Sequence, residues 1–261
     1  MTFDEILSTV DGKGNGLLPE GWGQGRALFG GLVGAVLFDH LQKSVAPGRV
    51  LRSFSLSFVA PAVPGPVSLT SEVFREGKSV MQAMVTARQE GQVVAAMLAS
   101  MGAARESSVT VPAPNMPGMK APQDSLVLPT IKGVTPDFLE FFDLRYAEGK
   151  PPYCGSDDAN FTGYMGFREP PSTMSTAALI ALVDTWPPSV LSMLKTPAPA
   201  SSLTWTMELL NDPASRPADT LWRYQVHTDQ CSDGYGQSQA TIWDAEGKAV
   251  ALSRQTFTVF A

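Results

Sequence analysis

The sequence predicts an α+β protein in which one β-helix-β4 unit is used twice, each an antiparallel sheet curved around a buried helix. Three observations lead there. First, EGQVVAAMLASMGAA (Glu90 to Ala104) returns near the end of the chain as EGKAVALSRQTFTVFA (Glu246 to Ala261), and self-similarity of this kind marks a duplicated unit. The match extends outward, because Val67 to Ser100 and Thr220 to Gln255 each read as three strands joined by turns. SLTSEVF and ATIWDAEGKAVALS alternate, and EGK and EGQ stand between periodic runs, which is the pattern of antiparallel hairpins. Second, the helical stretch GGLVGAVLFD (Gly30 to Asp39) is answered by STAALIALVD (Ser175 to Asp184), and both end in aspartate. Third, the second helix is apolar without a break from Ala177 to Val183. It has no face for water and must be enclosed, which a wrapped sheet achieves.

Taken in order, each unit reads as an edge strand, the helix, and then four strands. In the first unit the strands run near Arg49 to Ala60, Pro66 to Arg75, Lys78 to Gln89 and Gln92 to Gly102. Ser107 to Pro136 is rich in proline and has no periodicity, so it reads as a linker over the surface. The second helix has Ser172, Thr173 or Ser175 to cap its start. Trp186-Pro187-Pro188 should end it near Trp186, since proline lacks a donor and disfavours the α region before it. Strands follow near Ser201 to Leu210, Asp219 to Thr228, Tyr235 to Asp244 and Lys248 to Phe260. The expected division is 1–106, a linker over 107–136, and 137–261.

Composition supports two halves and narrows the function. A length of 261 residues suits two units sharing a core. With 44% hydrophobic residues, 17% charged residues and a net charge of −6, the chain suits an acidic globule and neither a disordered segment nor a nucleic-acid binder. No apolar run approaches the roughly 18 residues of a membrane span. MTFDEILSTVDGKGN carries acids and no basic leader followed by an apolar stretch, so a cytoplasmic location is expected. Cys154 and Cys231 fit no CxxC or metal spacing, and His40 and His227 form no HxH or HxxxH pair, so no metal is expected. GKGNG (Gly12 to Gly16) and GWGQG (Gly21 to Gly25) lack the spacing and flanking elements of a dinucleotide loop. There is no GxSxG elbow for a serine nucleophile.

A helix wrapped by a strongly curved antiparallel sheet is the hotdog arrangement. On FGGLVGAVL (Phe29 to Leu37), LRSFSLSFVAPAVPGPV (Leu51 to Val67), FREGKS (Phe74 to Ser79), ALVDTWPPS (Ala181 to Ser189) and WDAEGKAVALSRQ (Trp243 to Gln255), the chain resembles the TesB-like, double-hotdog acyl-CoA thioesterases. The resemblance spans most of the chain and is weakest across the linker. It implies hydrolysis of acyl-CoA to a carboxylic acid and CoA without a cofactor. It also implies an acyl channel beside the helices, where methionines adapt to the chain, and pairing of copies into a homodimer.

The candidate residues follow from the same segments. Asp184 ends an apolar helix, where burial and the negative end of the macrodipole both raise its pKa and favour a general base; on its residues alone it is equally a solvated aspartate at a helix exit. In the resembling family the matching aspartate activates the hydrolytic water. Gln255 stands where the first copy has Ala99, so the repeat does not require a polar group there. The resemblance makes it the water-binding glutamine, with both donor and acceptor to offer. In ASSLTWTMEL, Ser202 aligns with a family threonine and Thr204 with a family aspartate, so either hydroxyl is a candidate third member and either is also a plain strand hydroxyl. Phe29-Gly30-Gly31 opens the first helix, where free N–H groups suit a developing oxyanion, although Gly30, Gly31 and Gly34 serve close packing equally well. Two rivals stay open. A hydratase on the same fold usually needs a histidine with an acid, and the resembling hydratases carry an aspartate followed five residues later by histidine; neither His40 nor His227 is so placed. A non-catalytic acyl-CoA-binding double hotdog is kept open by the threonine at position 204 where the family has an acid.

Overall fold

The computed structural model describes all 261 residues. In the first unit α1 (Phe3–Ser8), β1 (Asn15–Leu18) and a small hairpin of β2 (Gly23–Gln24) and β3 (Ala27–Leu28) lead into α2 (Gly30–Ser44), followed by β4 (Val50–Phe58), β5 (Gly65–Glu76), β6 (Val80–Gln89) and β7 (Gln92–Gly102). In the second, β8 (Leu126–Val127), β9 (Phe142–Glu148) and β10 (Phe161–Phe167) precede α3 (Thr176–Val183), and β11 (Ala200–Leu209), β12 (Trp222–Ser232), β13 (Tyr235–Trp243) and β14 (Ala249–Val259) follow. This is the double hotdog, α+β, with each helix held against antiparallel strands. No helix is long and apolar enough to cross a membrane.

The two sheets are one. Twelve strands run in the order β1-β5-β6-β7-β4-β11-β14-β13-β12-β10-β9-β8, and the halves join where β4 pairs antiparallel with β11, from Thr204 opposite Ser57 to Glu208 opposite Ser53. Joining in this way removes two edges that would otherwise expose unpaired N–H and C=O groups. Trp205, on the seam, meets Phe54 edge to face at 5.0 Å and donates its Nε1–H to Ser253 Oγ at 2.9 Å. An aromatic contact of this geometry adds about 0.5–1.5 kcal/mol beyond the area buried.

Several expected bounds move, each for a local reason. α2 continues past Asp39 to Ser44, since LQKS has no breaker and the next glycine is Gly48. β12 begins and ends later than Asp219 to Thr228, because Asp233 and Gly234 both have positive φ, 54° and 78°, and form the two-residue hairpin turn. That turn sets Ser232 opposite Tyr235. Three strands, rather than one edge strand, precede α3. The last of the linker supplies β8, whose Leu126 pairs with Tyr146. The rest of the linker is strapped to the second unit by Trp243 Nε1–H on the Pro114 carbonyl at 3.0 Å and Tyr164 O–H on the Lys120 carbonyl at 2.7 Å.

α3 forms where expected. Ser175 is its N-cap, and its Oγ accepts the Ala178 N–H at 3.1 Å. Every residue from Ala177 to Val183 is buried, so this helix owes its place to packing rather than to an amphipathic surface. It lies against α2 through the glycines of the latter. A Cβ on Gly34 would stand 3.2 Å from Ile180 Cγ2, and one on Gly31 would stand 2.8 Å from the Ala181 carbonyl oxygen.

Candidate active site

The close approach of the two helices brings the C-terminal end of α3 to the first turn of α2. Asp184 is the C-cap of α3, with φ −83° and ψ 1°, and the Trp186-Pro187-Pro188 run prevents another turn from covering it. A Cβ on Gly30 would lie 2.9 Å from Asp184 Oδ2 and 2.9 Å from the Phe58 ring. The carboxyl thus stands between the negative end of one helix and the positive end of another.

Burial pushes the Asp184 carboxyl up to about 7, and two hydrogen-bond donors, the Gln255 side chain and the Gly31 backbone N–H, limit the rise. The residue as a whole is half-buried, while its carboxyl group is packed within the protein. A carboxyl poised near neutral pH has the affinity a general base requires.

Gln255 projects inward from β14, along with Ser253 and Phe257. Its Nε2–H donates to Asp184 Oδ1 at 2.6 Å, and its Oε1 accepts the Ser202 Oγ–H at 2.9 Å. The chemistry fixes which way the amide points: an ionised carboxylate only accepts, so the NH2 must face Asp184 and the carbonyl is left for the serine.

Ser202 reaches this position through a defect in the strand. Trp205, Met207 and Leu209 of β11 face the core, so ordinary alternation would turn Ser202 outward with Thr204. A β-bulge between Ser202 and Thr204 reverses that for Ser202. The two hydroxyls are therefore separated: Ser202 joins Gln255, while Thr204 stays exposed on the outer face opposite Ser57 and Thr256. Of the two candidates, Thr204 is not part of the hydrogen-bonded chain.

Gly30 and Gly31 border the carboxylate directly. Gly31 is also required by packing, since a Cβ there would come 2.4 Å from Phe29 Cζ. His40 is buried within α2, and His227 is exposed on β12; neither is hydrogen-bonded to Asp184. No three His, Cys, Asp or Glu side chains are grouped as a metal would need.

Two residues near Asp184 were not singled out from the sequence. Trp186 was read only as the end of the helix, and Tyr224 falls within a predicted strand without distinction. The Trp186 ring stacks on Tyr224 at 5.6 Å and 24°, and its edge meets Tyr146 at 5.0 Å. Burial, with the Asp184 charge added, holds the Tyr224 phenol well above its ordinary range.

Comparison with known proteins agrees with this architecture. A family model described as the acyl-CoA thioesterase N-terminal domain matches residues 18–102, and one described as the acyl-CoA thioesterase C-terminal domain matches residues 114–259. A hot dog-fold protein of unknown function from Alicyclobacillus acidocaldarius superimposes with a TM-score of 0.89 at 24% identity, covering 99% of this chain and 98% of that one. The acyl-CoA thioesterase II TesB2 from Mycobacterium marinum gives 0.76 at 20% identity, covering 99% and 98%. The tesB protein of Mycobacterium avium subs paratuberculosis gives 0.77 at 15%, covering 100% of both chains. A search of curated proteins by sequence finds no match. At these identities the structural neighbours speak for the fold, and the two matched models together account for nearly the whole length: the chain belongs to the TesB-like acyl-CoA thioesterase family.

Proposed function

We propose that this thioesterase hydrolyses acyl-CoA by a water that Asp184 activates, with Gln255 orienting the carboxylate and Ser202 holding Gln255. The observation that carries the reading is the chain of hydrogen bonds from Ser202 through Gln255 to Asp184, with the aspartate poised near 7. The Gln255 amide on Oδ1 and the Gly31 N–H are the two protein donors, and the lone pairs they leave on the carboxylate are the ones that take up a water. The water oxygen attacks the thioester carbonyl while its proton passes to Asp184. The oxyanion collapses, the C–S bond breaks, and the proton returns to the departing sulfur, giving a carboxylic acid and free CoA. The Gly31 N–H is engaged by Asp184, so the other free backbone N–H groups in the first turn of α2 are the donors for the oxyanion. An acyl-CoA substrate is compatible with work in the cytoplasm.

The site is composite under this reading. Asp184, Gln255 and Ser202 come from the second half, which we place at 137–261, and the helix start from the first, 1–106. Thiol release from a panel of acyl-CoAs tests it. Asp184→Asn, isosteric but unable to take a proton, is expected to lose about 10²–10⁴ of kcat while remaining folded. Turnover at the wild-type rate in a folded Asp184→Asn protein would remove Asp184 from the mechanism.

A further inference from the structure

The end of the interior next to Asp184 is paved with aromatic rings. Tyr146 on β9 and Tyr224 on β12 flank Gly163 on β10. The Trp186 ring lies over that glycine, where a Cβ would come 2.6 Å from Cη2. Phe161 closes the group at 4.9 Å from Trp186. The rings touch one another, so this wall is solid and lies close to the base: Trp186 is two residues from Asp184, a backbone reach of at most about 7 Å.

A purely structural wall would present only apolar atoms, and this one does not. Trp186 is 7% exposed, and its Nε1–H is sealed without a hydrogen-bond partner. Trp22 and Trp222 also carry unpartnered Nε1 groups, but neither neighbours Asp184 in the chain. The hydroxyls of Tyr146 and Tyr224 make no hydrogen bond within the protein, yet they are not sealed. Burial keeps both phenols protonated, and thus donors, across the physiological range.

From this arrangement, and resting on the hydrolase reading above, we propose that Tyr146 and Tyr224, backed by the Trp186 ring, line the acyl pocket and select a short acyl group with an oxygen within a few bonds of the thioester. The solid wall excludes long chains, and the two tyrosine hydroxyls, unpaired and not sealed, favour an acyl group that brings an acceptor. A site with donors to satisfy discriminates strongly against the analogue that lacks the oxygen.

The test compares kcat/KM for 3-hydroxybutyryl-CoA and butyryl-CoA, which differ by one oxygen. The wild type is expected to favour the hydroxylated substrate by about tenfold or more, and the ratio should fall toward one in Tyr146→Phe and Tyr224→Phe. Either a wild-type ratio at or below one, or a ratio preserved in both variants, overturns the inference and leaves the hydrolase reading intact. Absence of thiol release from every acyl-CoA overturns the hydrolase reading itself. Each variant removes a single oxygen, and if one of them does not fold the other still decides the matter.

Discussion

The two halves place the same kinds of residue at corresponding positions and use them differently. On the first sheet Ala99 of β7 stands opposite Phe54 of β4; on the second, Gln255 of β14 stands opposite Trp205 of β11. Asp39 and Asp184 close the matching stretches of α2 and α3. Asp39, however, lies within a helix that continues to Ser44, and Lys43 pairs with it at 2.7 Å. Asp184 lies where its helix stops, facing the start of α2 and bonded to Gln255. A hotdog unit therefore does not by itself make a site. The proposed site arises where one helix ends early and a polar residue replaces an alanine on the sheet behind it.

The sharpest way to break this comparison is to remove what sets the second half apart. Beyond the loss of kcat, Asp184→Asn should change how stability depends on pH. The folded carboxyl titrates at about 7 against an ordinary value of 3.8, so the native state binds the proton more tightly than the unfolded chain does. The contribution of this group is complete below about 4 and is lost as pH rises through about 7. Melts of the asparagine variant should therefore gain on the wild type at pH 8 and not at pH 4. Gln255→Ala makes the second half like the first, and kcat should fall about 10²-fold, the usual cost of one positioned donor. Because the Gln255 hydrogen bond holds the carboxyl down, the ascending limb of kcat/KM against pH should also move upward.

The reverse exchange tests the first half. Ala99 is fully buried, with Phe54 and Ala83 as its cross-strand partners, and no carboxylate waits there. Ala99→Gln should destabilise the protein by about 2 kcal/mol, through overpacking and an unmatched amide, and should add no second activity. A denaturant melt measures the loss. A variant as stable as the wild type would mean that this position has a polar partner, and the contrast with Gln255 would fail.

Much of this was legible because it is local or periodic. The repeat, the enclosed helix from Ala177 to Val183, the cap at Ser175 and the replacement of Ala99 by Gln255 all show in short stretches of sequence. What was not legible depends on pairing between distant segments. The fusion of the sheets is set by β4 against β11, and Gly30 and Gly31 meet Asp184 only because the two helices pack. The Ser202–Thr204 ambiguity has the same origin. A bulge is a mismatch in strand register, and nothing in SSLTW announces which side of Leu203 turns inward. Trp186 was hidden for a different reason: next to two prolines it looked like punctuation, and its ring packing emerges only with β9, β10 and β12 assembled around it.

The bulge also sets the smallest expected effect. Ser202 does not touch Asp184; its hydroxyl donates to Gln255 Oε1, so it acts by keeping the amide from turning over. A flipped amide would set its oxygen against the carboxylate, which is repulsive whenever Asp184 is ionised. Loss of one such hydrogen bond is worth about 1 kcal/mol, and Ser202→Ala should lower kcat by about fivefold. Ser202→Thr keeps the hydroxyl and should restore the rate, which a purely structural role for Ser202 would not require. Thr204→Ala, on the exposed outer face, should leave kcat unchanged. If that variant is the impaired one instead, the bulge does not separate the two hydroxyls as described, and Thr204 is the residue that supports Gln255.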